Sequence, residues 1–136
     1  MKSQSEIAFA LAVFAHEGQT RRDGITPYIE HPKAVMSRCK TDDEKAVAAG
    51  HDILEDNKAI IPEYLLSAGL KPHIVEAIKI LTKTKNKSYT DYLKDVKGNT
   101  LARTVKIADM ISNLCDDPTE KQVVKYVKGL YFLVID

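Results

Sequence analysis

A chain of 136 residues, 44% of them hydrophobic, carries enough apolar side chain for one compact domain around a single core, and one domain spanning 1–136 is expected. The net charge of +1 gives no strongly basic face for a nucleic-acid polymer, and no apolar run approaches the length of a membrane span. Cys39 and Cys115 lie far apart without CxxC spacing and read as reduced, mostly buried thiols of a cytoplasmic protein.

The opening "MKSQSEIAFALAVFAHEG" imitates a secretory signal, with a lysine ahead of an apolar run. Ser3 and Glu6 have the spacing of a capping box, so a mature helix is predicted from about Gln4 to Glu17. Its apolar face is expected at Ile7, Ala10, Leu11 and Phe14, and Gly18 ends it. "GQTRRDGITPYIEHP" is polar and punctuated by Gly and Pro, hence a loop. Pro32 suits the first position of a second helix and places His31 at its N-terminal edge. Thr41 and Glu44 make another capping box and open a third helix, which is expected to continue through "GHDILEDN". Pro62 and Pro72 read as helix-start prolines, and Gly69 as a stop between them. Further helices are predicted at about Pro72 to Leu81, Tyr89 to Val96, Leu101 to Leu114 and Glu120 to Leu133. The strand-like runs "VKI" and "YFLVI" sit inside helical periodicity, so the fold class is all-α.

"GHDILEDN" raises a chemical question, because four titratable side chains fall within six residues of an Ala- and Val-rich helix. Residues on a helix advance by roughly 100° each, so His51 and Asp52 lean toward one point between them, as two ligands of one ion must. Imidazole nitrogen with carboxylate oxygen suits Mn2+, Fe2+ or Zn2+ rather than Ca2+. Gly50, just before the pair, costs helix stability and points to close approach by a neighbouring element. Further ligands must come from elsewhere. His31, at a helix edge, is one candidate. Asp109 is the other, a lone acid among Val105, Ile107, Ala108, Met110 and Ile111, where an unpartnered carboxylate is costly. Asn113, one turn on, shares its face. Singly, each residue has an ordinary structural role: a core histidine, a solvated acidic helix end, an ion-paired aspartate. The conjunction calls for a cation.

The order His31, His51-Asp52, Asp109 resembles the metal set of the HD-domain phosphohydrolases. More narrowly, "FAHEGQTRRDGITPYIEHP", "HDILED" and "VKIADMISNL" resemble the hydrolase domain of the RelA/SpoT alarmone enzymes and the stand-alone small alarmone (Mesh-type) hydrolases, over about Ile7 to Leu133. The resemblance implies an HD-domain helical bundle. It implies one divalent ion, Mn2+ in the family, held by His31, His51, Asp52 and Asp109. Glu55 and Asp56 would orient or deprotonate the attacking water. Arg21 would pack on the base, Arg22 would follow it as a basic residue, and Asn113 and Tyr126 would line the nucleotide pocket. The activity implied is removal of the 3′-diphosphate of (p)ppGpp, by hydrolysis only, since no synthetase or regulatory segment follows. Other readings are hydrolysis of another nucleotide (a nucleoside phosphate, or the 2′-phosphate of NADPH) and a catalytically silent nucleotide-binding module. The lysines at 83, 85 and 87 form a solvated loop or add attraction for phosphates.

Overall fold

The computed structural model describes residues 2–135. The helices are α1 (Gln4–Ala15), α2 (Glu30–Ser37), α3 (Asp42–Gly50), α4 (Ile53–Asp56), α5 (Pro62–Ser67), α6 (Pro72–Leu81), α7 (Tyr89–Lys97), α8 (Thr100–Leu114) and α9 (Glu120–Val134). Among the described residues the only strand-type pairing is an isolated antiparallel bridge between Thr20 and Pro27. Over the described residues the fold is all-α.

Local chemistry sets most boundaries. Thr41 and Glu44 form the expected reciprocal capping box at α3, and Thr119 with Gln122 forms a second one at α9. Ser3 accepts from the Glu6 N–H, but Glu6 does not return the bond, so α1 has half a box. Pro62 and Pro72 open α5 and α6, where a missing N–H leaves nothing unpaired. Gly69 lies between them with φ of 112°, a conformation that L side chains rarely adopt.

Three expectations about helices need correction. The buried face of α1 is Ala8, Leu11, Ala12 and Ala15, whereas Phe14 is 61% exposed and Ala10 is also exposed. Alanine's small side chain lets α1 lie close on α3, which presents Ala46, Val47, Ala48 and Ala49. Pro32 is the third residue of α2, not the first, and His31 lies inside the helix. This is tolerated because the first four N–H groups of a helix have no intrahelical acceptor. The third helix does not run on through "GHDILEDN": α3 ends at Gly50, His51-Asp52 form a turn, and α4 begins at Ile53. Asp52 has φ −107° and ψ 0°, outside ideal helix geometry.

Helices α1, α2, α6 and α8 surround α3, so the HD turn at its end meets residues from α2 and α8. Gly50 permits this packing. A Cβ there would lie 2.7 Å from Cδ1 of the buried Ile78 on α6, the close approach its position predicts. Cys39 is buried as expected, but Cys115, the C-cap of α8, is exposed; both are free thiols. Among the described residues no helix is long and apolar enough to cross a membrane.

Candidate metal centre and active site

His31 on α2, His51 and Asp52 in the turn after α3, and Asp109 on α8 converge although up to 78 residues separate them. Ligand atoms of His31, His51 and Asp52 all lie within 4.8 Å of one another. Asp109 Oδ1 lies 2.8 Å from His31 Nε2 and 3.4 Å from His51 Nε2, and Asp52 Oδ2 lies 3.1 Å from His51 Nε2.

His51 carries the decisive detail. Its Nδ1 lies 2.6 Å from the carbonyl of Ala48, which can only accept, so the ring proton belongs on Nδ1. Nε2 then presents a lone pair, is fully buried, and has no hydrogen-bond partner. It faces two carboxylate oxygens. Lone pair against anion is unfavourable unless a positive charge lies between, supplied by a proton or a metal ion. Burial opposes charging of the His51 ring, but the Asp52 and Asp109 carboxylates outweigh it and hold its pKa well above the ordinary value. In turn, burial would raise Asp52, yet His51 holds it below the usual carboxylate range. Asp109 is likewise held low against burial, by Lys106 first and His51 second. A polar nest that demands a cation, built from two imidazoles and two carboxylates, fits a borderline divalent ion.

The supports around these groups are specific. Tyr28 donates its hydroxyl to Asp52 Oδ2 at 2.5 Å; burial, then the Asp52 charge, push the phenol's pKa far up, so it stays a donor. Asn113 donates to Asp109 Oδ1 at 3.2 Å and accepts from Arg21 Nη2 at 3.1 Å, which links the anchor aspartate to the loop after α1. That loop is tightly built. Arg21 N–H donates to the Thr26 carbonyl at 2.8 Å, Tyr28 N–H donates to the Gln19 carbonyl at 2.9 Å, and Asp23 Oδ1 receives the N–H groups of Ile25 and Thr26. Gly24, at φ 72°, closes the turn. Arg21 also pairs with Asp116 at 2.9 Å, and Arg22 donates to Gln122 Oε1 and to the carbonyls of Asp116 and Asp117.

Together these residues line a cleft of about 210 Å³: Arg21, Arg22, Tyr28, His31, Asp52, Asp109, Asn113, Gln122 and Tyr126. Arg21, Arg22, Asn113 and Tyr126, named from the sequence, therefore share the cleft with His31, Asp52 and Asp109, while His51 lies beneath it. Glu55 and Asp56 do not line it. Both are exposed on α4. Glu55 Oε1 accepts the backbone N–H of Lys83 at 3.0 Å, and desolvation together with the Asp52 charge raises Asp56 to about 6. Of the lysine loop, Lys87 pairs with Asp95 and lies away from the cleft.

No protein-family model and no curated protein sequence matches the chain. A solved structure does, one described as a metazoan ortholog of SpoT that hydrolyzes ppGpp and plays a role in starvation responses. The match has a TM-score of 0.79 at 19% identity, covering 98% of this chain and 86% of that one. This chain has that hydrolase's fold. At this identity the likeness concerns the path of the backbone, so the chemistry must be argued from the cleft itself.

Sequence reasoning passed over four residues of the site. Tyr28 sits three residues before His31, one helical turn away, and its signal was that spacing. Lys106 lies one turn before Asp109, so Asp109 is not a lone acid; the pair was legible as an i,i+3 couple in "VKIAD". Gln122 had only its capping-box spacing to Thr119. His16 is buried with Nδ1 against Gln19 Oε1 at 2.8 Å and its ring 4.8 Å from Tyr28, and burial lowers its pKa. A histidine at the end of an apolar helix gave no sign of that proximity.

Proposed function

We propose that this chain is a metal-dependent (p)ppGpp 3′-pyrophosphohydrolase, with His31, His51, Asp52 and Asp109 as the ligands of one divalent ion, Mn2+ by family resemblance. One observation carries the reading: the buried, unpartnered Nε2 of His51 faces Asp52 and Asp109 beside a cleft that two arginines also line. The likeness to the solved ppGpp hydrolase supports it.

A divalent ion held there supplies Lewis acidity, lowering the pKa of water and polarising a phosphoryl oxygen. The residues do the rest. Tyr28 fixes Asp52, and Asn113 and Lys106 fix Asp109, so the ligand atoms are set before substrate arrives. Arg21 offers a flat cation to a base and Arg22 a charge to phosphates. Asp56 lies outside the lining of the cleft but close enough to Asp52 and Tyr28 for both to act on its carboxyl, and as a carboxylate it would take the proton of the attacking water; Glu55, held by the Lys83 amide, would orient that water. Water oxygen bonds to the phosphorus attached at the 3′-oxygen, the bond from that phosphorus to the 3′-oxygen breaks, and a proton ends on the freed hydroxyl. The products from ppGpp are GDP and pyrophosphate.

The test is incubation of the purified protein with Mn2+ and a nucleotide panel that includes ppGpp, NADPH and simple nucleoside phosphates, with products identified. Pyrophosphate released from ppGpp supports the proposal. Consumption of another nucleotide with ppGpp intact leaves an HD phosphohydrolase of different substrate.

A further inference from the structure

Lys106 is an unusual neighbour for a metal ligand. Its Nζ donates to Asp109 Oδ2 at 3.0 Å, the two side chains being 16% and 7% exposed, and Asp109 is its one ion-pair partner among the described residues. The ammonium lies 5.4 Å from the centre of the Tyr92 ring, which is itself buried and tied by its hydroxyl to the Leu81 carbonyl at 2.8 Å. Lys106 is therefore held in place from two sides. The other oxygen of Asp109, Oδ1, is the one that faces His31 and His51.

A histidine ligand is usually met by an acceptor, which pushes electron density toward the ion, whereas a carboxylate ligand can be met only by donors. His51 follows that pattern through the Ala48 carbonyl. Lys106, unlike the neutral donors Tyr28 and Asn113, brings a full positive charge to its carboxylate. A fixed ammonium on Asp109 draws density away from Oδ1 and repels a second cation in a weakly screened interior. It also neutralises one of the two carboxylates whenever no ion is bound.

We propose that Lys106 is a positioning residue with two linked effects: it reserves Oδ1 of Asp109 for the metal, and by its own charge it holds metal affinity down. The metal is then less satisfied by its protein ligands and more demanding of water and phosphate. The inference rests on the metal-dependent reading above.

The test is substrate-free titration of Mn2+, followed by calorimetry and by the paramagnetic resonance of the free ion, on the wild type, Lys106→Met and Lys106→Arg. Lys106→Met should bind Mn2+ about 10-fold more tightly or better, because a like charge has gone, while its metal-free form melts at a lower temperature. Lys106→Arg, which keeps the charge, should restore the wild-type affinity. A lysine that only supports packing would lower the melting temperature and leave affinity unchanged, and that result, or weaker binding, overturns the proposal. If Lys106→Met is unfolded without metal, its melting temperature against Mn2+ concentration reads the same quantity: a larger metal-induced rise than in the wild type is expected, and an equal or smaller one overturns it. Absence of Mn2+ binding by the wild type would instead sink the metal reading, and this inference with it.

Discussion

Glu55 and Lys83 are joined by a bond from the lysine's backbone N–H to the glutamate's Oε1 at 3.0 Å. The bond ties the start of the lysine loop to α4, and it gives Glu55 a structural task that its neighbour Asp56 lacks. The two acids of "HDILEDN" are therefore separable by experiment.

Glu55→Gln keeps the shape and still offers an amide oxygen to the Lys83 N–H. The loop and the bound metal should persist, while turnover falls by about 100-fold if the carboxylate charge is needed to orient water. Steady-state kinetics and metal content on the same sample check this. Unchanged turnover at saturating substrate would confine Glu55 to its role as an anchor.

Asp56 should set the acid limb of activity. It must lose its proton to act as a base, so kcat should rise with pH as it ionises, and the limb should vanish in Asp56→Asn. The stability sign runs the other way. The folded state holds this proton more tightly than the unfolded chain does, so between the ordinary value of 3.8 and about 6 the group's contribution falls as pH rises. Asp56→Asn removes that penalty. At pH 7 in the metal-free protein its melting temperature should be equal to or slightly above that of the wild type, despite lost activity.

Much of this was legible in the sequence, and the gaps have physical causes. Capping boxes, helix-start prolines and the Gly69 stop are local, so α3, α5 and α6 begin where the residues say. Which face of α1 is buried is not local. Hydrophobicity alone favours Phe14, but close packing on the alanines of α3 selects Ala8, Ala12 and Ala15. The break at His51-Asp52 is not marked in the sequence, since no proline or turn-forming glycine follows Gly50 there and only Asp52 leaves ideal helix angles. In the site, His31, His51, Asp52 and Asp109 stood out as polar groups in apolar settings. Tyr28 and Lys106 did not, because a tyrosine just ahead of α2 and a lysine within α8 need no special explanation until their partners are known.

Arg21 should act mainly on binding. It is held by Asp116 and Asn113 in the cleft, and a base stacked on it gains the same contact in ground and transition states. Arg21→Ala should raise KM more than it lowers kcat. Comparable losses in kcat and kcat/KM with unchanged KM would place the arginine at the reacting phosphate instead.

Gly50→Ala should report on how firmly the HD turn is held. The added Cβ would meet Cδ1 of Ile78 at 2.7 Å inside the core, and overpacking of this kind costs about 1–3 kcal/mol. Chemical denaturation measures the loss, and metal affinity should fall with it as the turn shifts. A variant as stable as the wild type would mean that Ile78 moves aside freely.

The central claim is that a cation-demanding nest beneath an arginine-lined cleft hydrolyses a guanosine 3′-diphosphate. The most direct measurement is product analysis with ppGpp and Mn2+ on the wild type and on Asp52→Ala, with metal content determined for both. The account predicts GDP and pyrophosphate from the wild type only, and loss of metal from a variant that keeps its helical circular dichroism. Intact ppGpp with metal-loaded wild type, or full metal occupancy and turnover in Asp52→Ala, would contradict it.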